Sequence, residues 1–328
     1  MKYIFYLTGD HPEVAKAEVY YLLKSFHPVK ILDSDEQTTV IETDRDAEKL
    51  FHRLALTHEV SEFYASCNID ELEDVFSKMP VPQQTVCVRV KKIGPRKINS
   101  PELERKLGAI LWRRGAKISV SKPERIIKVY ISSKAYIGFL LHSTDTKQFL
   151  LRRPDKKPFF RPGVILPRFA RALINMTGVN EKEILLDPMC GTGTVLIEAG
   201  LMGIEFAGVE AFSNIAKGCA VNMKYFNLPI NVICGDARKL PFKDETIHAI
   251  VTDFPYLQSS RSYGELIELY VDSIREFHRV LKRGRRAVII SNMDVDDIIS
   301  ERFVIEKKFM HRVHRSLTRR IFLCKKEE

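Results

Sequence analysis

Three observations predict an α/β protein. From residue 184 to 291, short apolar strands alternate with longer helical segments, the pattern of a parallel, Rossmann-like sheet with helices on both faces. A turn carrying two glycines follows the first of those strands directly. Residues 1–142 have a different, mixed α+β texture, so the chain divides into an N-terminal α+β part and a C-terminal α/β part.

In chain order, residues 2–8 read as a strand closed by Gly9, and 12–25 as an amphipathic helix with Pro12 in its first turn. Strands at 29–32 and 38–42 pair about a polar turn, closing a small α+β unit over residues 1–45. Over 46–143 helices are expected at 46–58, 69–79 and 101–114, the last stopped by Gly115. A strand is expected at 85–90, and a closing strand pair at 126–132 and 135–142.

Residues 144–168 are unlike their surroundings, with prolines at 154, 158, 162 and 167 that block regular structure. They read as an extended linker in which Arg152, Arg153, Lys156, Lys157 and Arg161 are candidates for gripping phosphates. In the last part, 169–328, strands are expected at 184–186, 205–209, 231–234, 249–252 and 286–291. Helices at 213–226 and 264–281 lie between them, and 303–311 with 318–324 supply a final antiparallel pair.

Composition narrows the function. At 328 residues the chain holds two domains or more. Its formal charge of +10 favours a polyanionic partner such as nucleic acid. Residues 3–7 form an apolar run too short for a signal peptide, and no stretch approaches the ~20 apolar residues that cross a bilayer. A cytoplasmic protein without membrane contact is expected. The six cysteines are scattered with no C-x-x-C pair, and His311 and His314 stand without a carboxylate nearby, so no metal site is expected.

The chemistry sits at strand ends. Asp187-Pro188-Met189-Cys190-Gly191-Thr192-Gly193 follows the first C-terminal strand, and its glycines let backbone approach a ligand closely. Leu196 stands where a dinucleotide loop has its third glycine, and no Gly-Lys-Ser/Thr follows as in a P-loop. An acidic residue before the glycines suits a ligand with an ammonium group, as in the methionine part of S-adenosylmethionine. Glu210, ending the second strand, can take ribose hydroxyls. Gly235-Asp236-Ala237 follows the third, where Asp236 can accept from an adenine amine. The fourth ends Asp253-Phe254-Pro255-Tyr256. A base amine is a poor nucleophile, because its lone pair is delocalised into the ring. Asp253 and the carbonyl of Phe254 can accept its two N–H bonds, Pro255 restricts Phe254 to an extended conformation, and Tyr256 offers a face for a base swung out of its stack.

The loop 187–193 with Asp253–Tyr256 resembles the amino-methyltransferase family, in which a D-P-P-Y or N-P-P-Y tetrad holds the target amine; Phe254 departs from it. Residues 1–142 are similar to the ferredoxin-like plus THUMP arrangement of RNA-modifying enzymes, through Leu7-Thr8-Gly9-Asp10-His11-Pro12, Arg89-Val90-Lys91-Lys92 and Tyr136-Ile137-Gly138-Phe139. The segment from Arg152 to Arg171 looks like that of archaeal tRNA guanosine-N2 methyltransferases. The resemblance implies a ferredoxin-like domain at 1–45, a THUMP domain at 46–143 and a class I S-adenosylmethionine-dependent methyltransferase domain at 169–328. It implies methylation of guanosine N2 at position 10 of tRNA, once or twice, with a THUMP domain that recognises the acceptor end. In that reading tRNA is the partner and S-adenosyl-L-methionine the cofactor; the sequence does not set the oligomeric state, and a monomer is favoured. Methylation of another guanosine in tRNA or in ribosomal RNA, adenine N6 methylation of DNA, and a non-catalytic RNA-binding role stay open as alternatives.

Overall fold

The computed structural model describes residues 1–256, 263–314 and 317–328. The chain separates into two compact units, one built mainly from residues before Asp145 and one from Thr146 onward.

The first unit is organised by one seven-stranded sheet. Its strands are β1 (Lys2–Leu7), β2 (Val29–Ser34), β3 (Thr38–Thr43), β4 (Thr57–Cys67), β5 (Val86–Lys92), β6 (Arg125–Ile131) and β7 (Ala135–Ser143), in the order β2-β3-β1-β4-β7-β6-β5. Every pairing is antiparallel except β5 with β6, whose connection runs through helix α3 (Ser100–Arg113). Helix α1 (Pro12–Lys24) follows β1, and α2 (Leu72–Lys78) packs with α3. Leu72, Phe76, Val86, Leu107, Leu111, Ile127 and Val129 form the core beneath the two helices, because the apolar faces of α2 and α3 and one face of the strands have nowhere else to be buried.

Two expectations change here. The helix at 46–58 is instead a single 3₁₀ stretch, Glu48–Arg53, followed by β4, a long strand that the sequence reading missed. Its alternation is masked by Glu59 and Glu62, which are satisfied across the sheet by Lys128 at 2.8 Å and Arg125 at 2.9 Å. The division expected at residue 45 falls inside this sheet, since β3 and β4 flank the same strand, β1.

In the second unit, α4 (Lys147–Leu151) and α5 (Pro167–Thr177) precede a sheet made of β8 (Ile184–Asp187), β9 (Glu205–Glu210), β10 (Val232–Cys234), β11 (Ile247–Asp253), β12 (Leu281–Ser291), β13 (Val304–His314) and β14 (Leu317–Lys325). Connecting helices are α6 (Thr194–Leu201), α7 (Ser213–Tyr225), α8 (Tyr263–Val280) and α9 (Asp296–Ser300). The order is β10-β9-β8-β11-β12-β14-β13, parallel from β10 to β12, with β14 antiparallel to both its neighbours. The chain runs outward from β8 in one direction and resumes at β11 on its other side. That reversal opens a crevice beyond the carboxyl ends of β8 and β11, where open α/β sheets bind ligands. Asp187, Glu210 and Asp253 are the last residues of β8, β9 and β11.

The linker is a further correction. Residues 147–156 form α4 and a 3₁₀ turn, Pro154–Lys156, rather than an extended segment. Arg152 and Arg171 both grip the buried carboxylate of Glu198 on α6, at 2.6 and 2.8 Å, and both lie over the ring of Phe149. Prolines break this segment into short turns, but its cations and aromatic rings tie those turns to the sheet domain.

Candidate active site

The loop after β8 is built for close approach. Gly191 and Gly193 hold φ of +52° and +84°, a region that side chains disfavour. A Cβ on Gly193 would meet the Cys219 sulfur at 2.5 Å, whereas one on Gly191 would point into open space. Room for a ligand therefore lies over Gly191. Pro188, Cys190 and Thr192 are buried and shape the loop from below. The Cys190 N–H donates to the Val209 carbonyl at 3.0 Å, tying the loop to β9.

Asp187 is almost fully buried, and its Oδ1 accepts the Met189 N–H at 3.2 Å. Burial, with Asp253 and Glu210 nearby, pushes its carboxyl up to about 8. Glu210 is locked across two turns, accepting the Gly191 N–H at one oxygen and the Phe212 N–H at the other, each at 3.0 Å. Each carboxylate oxygen keeps a lone pair for a hydroxyl donor. Asp236, beyond β10, accepts the Arg238 backbone N–H at 2.9 Å and pairs with its guanidinium at 2.6 Å, beside buried Ala237.

Asp253 and Tyr256 come together as one cluster. The Tyr256 hydroxyl lies 2.9 Å from both Asp253 oxygens. Sequence reading missed the third member, Arg319 on β14, which is 3% exposed. Its Nε donates to the Tyr256 hydroxyl at 2.5 Å, while another nitrogen reaches Asp253 at 3.2 Å and the Gly163 carbonyl at 2.6 Å. Burial lifts the Asp253 carboxyl to about 6, against the opposing pull of Arg319. Phe254 turns its ring inward, stacked on Tyr270 at 4.0 Å between centroids, and its N–H donates to Ile290. An aromatic residue at the tetrad's second position thus anchors the turn in the core and leaves only main chain toward the crevice, beside exposed Pro255.

Of the five cations expected to grip phosphates, two are used inside the protein. Lys157 is buried, with Nζ donating to the hydroxyls of Thr192 at 3.2 Å and Thr194 at 2.8 Å, and burial lowers its pKa to about 8. Arg152 is held by Glu198. Arg153 is exposed and pairs with Asp155, while Lys156 and Arg161 are exposed. Asn222 fastens the neighbouring turn, bonding the Phe159 N–H and carbonyl and the Thr192 carbonyl at 2.9–3.0 Å. The linker is thereby a second layer under the glycine loop. A second basic stretch, Lys282-Arg283-Gly284-Arg285-Arg286, is largely ion-paired: Arg283 pairs with Glu245, Arg285 with Glu183 and Arg286 with Glu306.

Comparison with known proteins decides which fold family owns these strand ends. The family model described as RMKL-like, methyltransferase domain matches residues 154–321. The chain is 34% identical to a tRNA (guanine(10)-N2)-dimethyltransferase of Methanothermobacter thermautotrophicus, over 97% of this chain and 98% of that protein. The chain belongs to the RMKL-like methyltransferase family. A second relative, the tRNA (guanine(10)-N2)-dimethyltransferase of Pyrococcus abyssi, is 32% identical over 97% of each chain. The crystal structure of TrmN from Thermus thermophilus has the same fold, with a TM-score of 0.54 at 20% identity over 99% of this chain and all of that one. The methyltransferase match begins at Pro154, so the turn carrying Lys157 and Phe159 is part of the family domain. Among the described residues no group of histidine, cysteine and carboxylate side chains has metal-binding geometry, and no helix is long and apolar enough to cross a membrane.

Proposed function

We propose that this methyltransferase moves methyl groups from S-adenosyl-L-methionine to the exocyclic N2 of guanosine at position 10 of tRNA, giving N2-methyl- and N2,N2-dimethylguanosine. The observation that carries the reading is the juxtaposition of Asp253 and the tetrad turn with the glycine loop, across adjacent strands β8 and β11. The names of the full-length relatives support tRNA and guanine N2 as the acceptor.

The residues present fit the cofactor. The open space over Gly191 would admit it, and buried Asp187 would hold its ammonium group, Glu210 its ribose hydroxyls, and Asp236 with Ala237 its adenine. Bound there, the cofactor supplies an electrophilic methyl group on a sulfonium sulfur. The chain's residues do the rest. Asp253 is ionised above a pH of about 6, accepts one N–H of the guanine amine and takes up its proton as the C–N bond forms. The Phe254 carbonyl accepts the other N–H, which holds the amine in line. Tyr256 yields its hydrogen bond to Asp253 and covers the base.

Residues 46–143 are proposed as the THUMP module that holds the RNA, and exposed Lys156 and Arg161 as phosphate contacts. A monomer acting on tRNA in the cytoplasm is the working form proposed. Asp253→Ala is expected to bind S-adenosylmethionine with unchanged affinity in calorimetry while losing at least ~100-fold in turnover. Near-normal turnover with cofactor bound would remove Asp253 from the reaction.

A further inference from the structure

The first unit carries a groove that the methyl-transfer site does not use. It lies between α3 and the outer edge of β5, has a volume of about 570 Å³, and is lined by Cys87, Arg89, Gly108, Trp112 and Val120. Trp112 is the only tryptophan in the chain, and it is 66% exposed. Burying an indole in the core of this unit would stabilise it, so an exposed one on a groove wall is informative.

A second feature is Gly108, in the middle of α3. A glycine there weakens a helix relative to alanine. Packing does not require it, because a Cβ at Gly108 would meet nothing within 4 Å. What the missing side chain provides is depth to the groove, one helical turn before Trp112. Charge provides the third feature. Arg89 and Arg105 line the groove with one carboxylate, Glu104, which pairs with Arg89 at 3.6 Å, so the exposed Arg105 carries the groove's net positive charge.

These features select the occupant. A protein strand adding to β5 is blocked, since the Val90 N–H donates to Glu104 Oε1 at 2.8 Å and Arg89 donates to the carbonyls of Val88 and Val120. The Ser119 N–H already donates to the Val86 carbonyl. A flat apolar ring beside the exposed Arg105 guanidinium instead suits an unpaired nucleobase and its phosphate. We propose that this groove stacks one unpaired base of the RNA substrate on Trp112, with the phosphate beside it neutralised by Arg105. The inference rests on RNA being the substrate, and adds to it a single-stranded contact located in the first unit.

Trp112 is also its own reporter, because all tryptophan emission of the chain comes from the groove. Titrating the full chain with an unmodified tRNA transcript is expected to quench that emission in parallel with binding, and a short single-stranded oligoribonucleotide should do the same at higher concentration. Trp112→Ala is expected to weaken transcript binding by about tenfold, whereas Trp112→Phe keeps most of it. Gly108→Leu fills the groove with a better helix former, so it should keep the fold and weaken binding as Trp112→Ala does. Unchanged emission at saturation, with both groove variants binding within about twofold of the parent, overturns the proposal. Methyl transfer to the same transcript, measured alongside, separates the two claims. Transfer with a silent Trp112 overturns the groove alone, and an absence of any tRNA binding by the parent chain overturns both.

Discussion

Asp253, Arg319 and Asp187 concentrate the chemistry at the scale of single residues. The Asp253 carboxyl stands at about 6, raised by burial and held down by Arg319. Only its ionised form can take up the amine's proton, so the rate is expected to fall as pH drops through about 6. Arg319→Gln removes the cation that favours the carboxylate, so the acid limb should move to higher pH; Arg319→Lys should keep it near the parent position. A pH–rate profile that is unmoved in Arg319→Gln would show that Arg319 acts on Asp253 only as scaffold. Asp187 titrates the opposite partner. With its carboxyl at about 8 it is mostly protonated at pH 7, and a neighbouring ammonium favours the ionised form. Cofactor binding at pH 7 should therefore release up to about one proton, read as a buffer-dependent binding enthalpy. Asp187→Asn should abolish that dependence, and a dependence that persists in the variant would place the proton elsewhere.

At the scale of elements, the segment that precedes the sheet of the second unit is clamped to α6 by Glu198 with Arg152 and Arg171. Glu198→Ala leaves two largely buried guanidinium groups without their shared carboxylate, at an expected cost of ~3–5 kcal/mol in a denaturation experiment. A loss under ~1 kcal/mol would mean that the cations find water or other partners. The strand ends of the second unit were legible in the sequence because each chemical residue closes a short apolar run: Asp187 after Leu185-Leu186, Glu210 after Val209, Asp253 after Val251-Thr252. The clamp and Arg319 were not legible. Arg319 meets Tyr256 across 63 residues of chain, and Arg152 meets Glu198 across 46, separations at which no local period operates. Strand β4 was lost for a related reason, since the cross-strand partners of Glu59 and Glu62 lie on β6. The proline-rich composition of 154–167 said correctly that long helices stop there, and said nothing of Lys157 turning inward under the glycine loop.

For the whole molecule, the net charge of +10 is a field for a polyanion, though much of the most conspicuous basic sequence is internal or ion-paired. Of the linker cations, Arg153 is exposed in a surface pair with Asp155, and the other exposed two are Lys156 and Arg161. Replacing both with alanine is expected to weaken tRNA binding, lower the slope of log affinity against log salt by up to about two, and leave cofactor affinity unchanged. Equal loss of cofactor affinity would assign these side chains to the methyltransferase pocket instead. The central claim joins one reaction to one acceptor atom, and one measurement reaches it directly. Labelled methyl incorporation into an unmodified tRNA transcript, followed by nucleoside mass analysis and mapping, should yield N2-methyl- and N2,N2-dimethylguanosine at position 10. Incorporation into any other atom or position, or none while the cofactor binds, would contradict it.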